Sequence, residues 1–322
     1  MDFELSDDQV ALVDGMRALL AGRFDIEAVR ALESSGGVER GRWSELAETG
    51  VFSLTLAEAA GGVGLGWADA VLVYEELGRA IVPGPLVATL LAAELVEGAA
   101  AGEVVVGMIE RPAAGQPAYV DYPASIDTLL VLDAEGIWQV APASLALELL
   151  HKPLDFLTPV GRVAVLPQGE RIADAAAADL ARIRGAVLTS AIQLGLAEGS
   201  CDLATAYAKE RHQFGKPIGQ FQAIKHLCAD MVTRIEVARA AVYMAGLCLD
   251  DDSIEVPARA ASMARIVANN AASENGKDCV QIHGGMGYTW EVDAHLYLKR
   301  AWALAFAFGS TDDHAEIMAT YV

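Results

Sequence analysis

From Ala173 to Phe214 the sequence contains no proline, and Gly185, Gly195 and Gly199 recur within that run. A proline-free stretch of this length predicts one long helix. Glycine inside a helix costs about 1 kcal/mol relative to alanine, so three of them need compensation. The expected compensation is close helix–helix approach, which makes this segment the spine of a bundle. The next stretch places Phe221, Ile224, Cys228, Met231, Ile235 and Val242 at three-and-four spacing, the apolar face of a second helix. Pro257 suits the first position of a third helix, which runs on into "QIHGGMGYTWEVDAHLYLKRA".

The rest of the chain has a different rhythm. The first third reads as helices. Ser6 and Gln9 form a Ser-x-x-Gln capping box ahead of Val10, Val13, Met16 and Leu20. A second helix holds Trp43, Leu46 and Ala47, and a third, "WADAVLVYEELGRAI", stops before Pro83 and Pro85. The middle consists of short β-branched runs, "EVVVGMIE", "TLLVLDAEGIWQVAP" and "GRVAVLP", bounded by Gly and Pro. Within it "LLVL-DAEG-IWQV" reads as a hairpin. The expected architecture is mainly α with a small β domain: helices over 1–102, a reduced β domain over 103–172, and a helical bundle over 173–322. Strands and helices do not alternate, so a doubly wound α/β fold is excluded.

A formal net charge of −21 argues against nucleic acid and anionic membrane surfaces as partners. The start, "MDFELSDDQV", lacks a basic-then-apolar leader pattern, and no apolar run reaches spanning length. A soluble, cytoplasmic protein is expected. Cys201, Cys228, Cys248 and Cys279 are widely spaced in apolar helical contexts and read as free thiols.

Few motifs carry chemistry. "AGGVGLG" (60–66) lacks the strand-then-helix context of a dinucleotide site and reads as a flexible loop. Ser200 falls in mid-helix, not on a nucleophile elbow. The six histidines form no metal-binding spacing. "QIHGGMG" (281–287) leads a helix into paired glycines. One glycine suffices for a C-cap; a second would let a ligand approach bare backbone. Arg211 has two readings on its own: a cation at a helix C-terminus, or a bidentate contact to phosphate or carboxylate.

Together, "AYAKERHQFGKPIGQFQAIKHLCADM" and "DCVQIHGGMGYTWEVDAHLYLKRA" closely resemble the C-terminal four-helix-bundle-like domain of the acyl-CoA dehydrogenase family. "LSDDQ", "LAEAAGGVGLGWAD" and "EELGRAIVPGP" resemble its N-terminal helical domain, so the resemblance spans nearly the whole chain. It implies FAD as cofactor and an acyl-CoA substrate. In that family the flavin ring meets the β domain, and a neighbouring subunit holds the adenosine diphosphate tail. Position by position, the tail-binding residues carry over to Arg211, Phe214, Gln222, Gln281, Gly284 and Gly285.

The sequence also departs from the family. Dehydrogenation needs a carboxylate base for the α-proton. Most members carry it just before Gly-Thr near the C-terminus, where Phe308 stands here, and a second subgroup carries it where Gly185 stands. Neither residue can take a proton, so no catalytic residue is assigned. Asp312 and Asp313 read as a solvated or helix-capping pair. The "T-E-P-x-x-G-S-D" and "W-x-T-N" stretches of the family's β domain are missing. The chain therefore resembles the base-lacking subunit of the heteromeric (α2β2) acyl-CoA dehydrogenases of steroid-degrading actinobacteria. That resemblance implies a partner subunit carrying the catalytic glutamate, and electron-transfer flavoprotein as acceptor. Two alternatives are a homo-oligomeric enzyme with a relocated base, such as Asp312 or Glu316, and a non-catalytic scaffold.

Overall fold

The computed structural model describes residues 4–321. Ten α-helices are assigned among them: α1 (Asp7–Arg23), α2 (Ile26–Ala31), α3 (Arg40–Glu48), α4 (Trp67–Arg79), α5 (Leu86–Leu91), α6 (Ala175–Glu210), α7 (Gln222–Asp250), α8 (Pro257–His283), α9 (Ala294–Ala303) and α10 (Thr311–Ala319). Between α5 and α6 run seven strands: β1 (Val106–Glu110), β2 (Ala118–Asp121), β3 (Thr128–Leu132), β4 (Gly136–Val140), β5 (Leu147–Leu149), β6 (Val160–Val163) and β7 (Glu170–Asp174). The mainly helical architecture with a small β region agrees with the expectation. No described helix is long and apolar enough to cross a membrane.

The chain packs as two compact units, each drawn from separate stretches. One comprises the described parts of Met1–Ile26, Val71–Val82 and Val187–Val322. The other comprises Glu27–Ala70 and Pro83–Ala186.

In the second unit the sheet orders are β1-β3-β4-β7 and β2-β6-β5. The hairpin forms where expected, with Leu129 opposite Val140 and Leu132 opposite Ile137. Asp133 makes the turn: its Oδ1 accepts from the N–H groups of Glu135 (2.9 Å) and Gly136 (3.2 Å). All five residues of β3 are buried, consistent with a central strand covered on both faces. The strand expected over "GRVAVLP" ends at Val163, because the chain then turns toward β7. The 60–66 loop is ordered by backbone bonds, Gly64 N to Leu56 O (2.9 Å) and Leu65 N to Leu54 O (2.8 Å), so its glycines serve a tight turn rather than flexibility.

In the first unit the glycines of α6 meet the backbone of α4. A Cβ on Gly195 would lie 1.9 Å from Glu75 O, and one on Gly78 would lie 2.1 Å from Ile192 O. Gly199 would meet the Tyr297 ring at 2.5 Å. Close approach is thus the reason for Gly195 and Gly199. The capping box at Ser6 is present, and Val13, Met16 and Leu20 are buried, whereas Val10 is exposed. On α7 the expected apolar face is buried from Met231 onward, at Met231, Ile235 and Val242. Phe221, Ile224 and Cys228 are only half-buried. The other three cysteines are buried, and all four are free thiols.

A buried charge network lies between α4, α6 and α7. Arg239 Nη1 donates to Glu75 Oε1 at 2.8 Å, and its Nη2 donates to Glu198. Tyr243 OH donates to Glu75 Oε2 at 2.8 Å. Burial, and then the charge of Glu198, raise the Glu75 carboxyl from 4.5 to about 8, against the pull of Arg239 and Tyr243. A raised folded-state value means the folded protein holds the proton more tightly than the unfolded chain. Stability from this group is therefore full below about pH 4.5 and lost as pH rises through about 8. Chemical denaturation across that window should show unfolding free energy falling by an amount on the order of a few kcal/mol. Glu75→Gln should flatten that slope, and an unchanged slope would refute the assignment.

Candidate functional site

The expected tail-binding residues sit on two turns of the first unit. At the first, α6 ends and Arg211 N donates to Tyr207 O at 2.8 Å. A short hairpin pairs His212 with Pro217 and Gln213 with Lys216. Its tip needs left-handed backbone, with φ of +52° at Phe214 and +79° at Gly215. Glycine takes that conformation freely, whereas phenylalanine does not. Phe214 is held there 91% exposed, its ring edge-on to Phe221 at 6.0 Å, and Lys216 Nζ lies 4.4 Å from the Phe221 ring centroid. Gln222 begins α7 and faces solvent. The Arg211 guanidinium is exposed and makes no hydrogen bond or ion pair with any described residue.

At the second turn α8 ends. Gly284 N donates to Gln281 O, and Gly284 adopts φ +62°, ψ −142°, open essentially to glycine alone. The three glycines of "HGGMG" have different reasons to be there. Gly284 is required by its backbone. Gly287 is required by packing, since a Cβ would lie 2.6 Å from Val280 O. Gly285 has neither requirement: its φ is ordinary and nothing lies within 4 Å of the added Cβ. Neither backbone conformation nor packing within the chain requires this glycine. Gly285→Ala should leave the melting temperature unchanged or raise it by a few degrees at most (about 3 °C). In a flavin-loaded assembly it should lower flavin occupancy; full occupancy would remove Gly285 from the site.

Three helices bring these turns together. The Tyr207 ring, in the last turn of α6, stacks on the His283 ring at the end of α8, with centroids 4.2 Å apart. Asn275 is fully buried in α8 and its Nδ2 donates to Met231 O on α7 (3.1 Å) and Ala197 O on α6 (3.3 Å). Arg234 of α7 donates to Asn275 Oδ1 and Asp278 Oδ2, each at 2.8 Å. Sequence patterning does not single out Tyr207, Arg234, Asn275 or His283. The available signal is Asn275, an amide among alanines on the apolar side of α8.

The loop at Phe308 is tightly held. Phe308 has φ +54° and Gly309 φ +102°. The fully buried Arg265 donates to Leu304 O and Ala307 O, and burial lowers its pKa to about 10. His314 Nε2 lies 2.9 Å from Phe308 O, and its Nδ1 lies 3.0 Å from Ser262 Oγ. Asp313 is used as a cap: its Oδ2 accepts from Ser310 N (2.8 Å) and Oγ (2.7 Å), which lowers its pKa. Asp312 and Glu316 are exposed. Among the described residues no cluster of His, Cys, Asp or Glu is placed to hold a metal.

An exposed guanidinium without an internal partner is a donor of the kind a pyrophosphate takes, and Gly285 leaves space over the backbone of the second turn. It fits the adenosine diphosphate part of FAD.

Comparison with known proteins bears on the same stretches. The N-terminal domain of acyl-CoA dehydrogenase matches residues 6–102, and the C-terminal domain of acyl-CoA dehydrogenase matches 175–322. Acyl-CoA dehydrogenase IpdE2 of Mycolicibacterium smegmatis is 35% identical over 325 residues, covering 95% of this chain and 96% of that protein. Acyl-CoA dehydrogenase FadE34 of Mycobacterium tuberculosis is also 35% identical, over 95% of this chain but only 47% of its own length. Among solved structures, the ChsE4-ChsE5 complex from Mycobacterium tuberculosis superposes with TM-score 0.85 at 21% identity, covering 99% of this chain and 98% of that one. The Tcur3481-Tcur3483 steroid ACAD G363A variant gives 0.84 at 24%, covering 98% and 97%. Two matched domains and relatives aligned along nearly the whole chain make this protein a member of the acyl-CoA dehydrogenase family, oxidoreductases whose cofactor is FAD.

Proposed function

We propose that this chain is one subunit of a heteromeric acyl-CoA dehydrogenase. It holds the adenosine diphosphate tail of FAD, while a second dehydrogenase-like subunit supplies the catalytic glutamate. The observation that carries this reading is a mismatch. Arg211 and Gly285 stand ready for an outside ligand, yet phenylalanine and glycine occupy the two base positions. Asp313 is committed to its cap and so is no candidate for a relocated base.

A bound flavin would supply the acceptor for the hydride that leaves the substrate's β-carbon. This chain's contribution is positional. The Arg211 fork suits a bidentate hold on the pyrophosphate, and Gly285 leaves room for the tail to approach the backbone at the second turn. Gln222 and Gln281 add neutral donors and acceptors for the tail. The side chain at 308 has no group to accept the α-proton, and in this reading the partner supplies the base.

A partner surface has support in exposed apolar groups. Phe214 is 91% and Tyr288 78% exposed, and Phe221 and Ile224 at the start of α7 are only half-buried. One solved structural neighbour is described as a two-protein complex, and another as a steroid enzyme. By that analogy the substrate is the CoA thioester of a steroid-derived acid, and the acceptor is electron-transfer flavoprotein. The test is to purify the chain alone and together with a dehydrogenase-like chain that retains the glutamate, measuring flavin per protein and acyl-CoA oxidation. Flavin and turnover are expected only in the complex. Tight flavin binding and turnover by this chain alone would overturn the proposal.

A further inference from the structure

Among the described arginines, only Arg184 and Arg211 have a guanidinium that makes neither a hydrogen bond nor an ion pair with the described protein. Arg211 belongs to the turn that follows α6. Arg184 lies elsewhere, in the second compact unit, near the start of α6. Its neighbour on the same helix shows the contrast. Arg182 donates to both carboxylate oxygens of Glu110 (2.8 and 3.1 Å), to Asp179 (2.8 Å) and to Asp133 O (3.0 Å). Arg184 has no such partners, although its Nε is buried without one. Its guanidinium lies over the ring of Trp67, the first residue of α4, with Cζ 4.4 Å from the ring centroid. Glu94 adds a favourable field but makes no bond, and burial lowers the Arg184 pKa.

A buried donor left unpaired is costly. A guanidinium with its face on an aromatic ring keeps its edge free, and that edge matches two oxygens of one anion. We propose that Arg184, backed by Trp67, is a recognition site for an oxyanion of the acyl-CoA ligand. The oxyanion is either a carboxylate on the acyl group or a phosphate of the CoA moiety. This deepens the proposed function by giving the chain its own contact with substrate, and it depends on that reading only for the identity of the ligand. Lysine would not serve equally, because it offers a point charge without the planar fork.

The test uses the purified chain and Trp67 as reporter. Fluorescence is followed during titration at constant ionic strength with glutarate, and separately with adenosine 3′,5′-bisphosphate. Trp67→Phe identifies the signal among the five tryptophans. A saturable, Trp67-dependent change is expected with at least one probe. A response to glutarate assigns the acyl group, and a response to the bisphosphate assigns CoA. Arg184→Gln should abolish the response, and Arg184→Lys should weaken binding about tenfold. If Arg184→Gln loses its fold by circular dichroism, the Lys variant carries the test. No saturable change with either probe, or equal binding by the folded variants, would overturn the proposal. Flavin content of the two-chain complex is a separate readout: its failure with anion binding intact would sink the tail clamp and leave Arg184 standing.

Discussion

Arg211→Ala is expected to strip flavin from the two-chain complex without unfolding this chain. Arg211 is exposed and bonds to nothing in the described protein, so its removal should change stability by less than about 0.5 kcal/mol. A charge-assisted contact to phosphate contributes about 1.5–3 kcal/mol, which is roughly a ten- to hundredfold loss of cofactor affinity. Arg211→Lys should recover part of it, because charge is kept and the bidentate fork is lost. The measurement is flavin absorbance per protein after dialysis, alongside a thermal melt. Unchanged flavin content in Arg211→Ala would favour a scaffold that never touches the cofactor.

The largest stability effect is expected at Gly195. A side chain there would start 1.9 Å from Glu75 O, a backbone atom of α4 that cannot move aside cheaply. Gly195→Val should cost more than about 3 kcal/mol, or prevent folding, because α4 and α6 would have to separate along their contact. Gly15→Ala is the internal control. Gly15 is also helical, but nothing lies within 4 Å of its added Cβ. It should stabilise by about 0.5–1 kcal/mol through helix propensity and reduced freedom of the unfolded chain. Equal effects at the two sites, measured by denaturant melts, would refute the packing explanation.

Much of the architecture is legible in the amino-acid order. The proline-free run forms one helix, Ala175–Glu210, and Pro257 opens α8. Local chemistry suffices for such features, since caps, prolines and turn residues act within a few positions. The short elements α2, α5, β2, β5 and β7 are not legible in the same way, because a few residues carry too little periodicity to read. The apolar stripe of α7 is legible as a stripe, but sequence spacing cannot say where its cover ends.

At the candidate site the sequence determined the residue types: a guanidinium, two glutamines, a run of glycines, and no carboxylate at either base position. Only the tertiary structure could sort those groups by what already occupies them. It separated Gly285 from Gly284 and Gly287, Arg184 from Arg182, and Asp313 from a free acid. Each distinction depends on atoms distant in sequence or on backbone dihedrals: Glu110 partners Arg182 from β1, and only φ and ψ mark Gly284. A polar group is available to a ligand when the fold leaves it unpaired, and pairing is settled by packing across the chain.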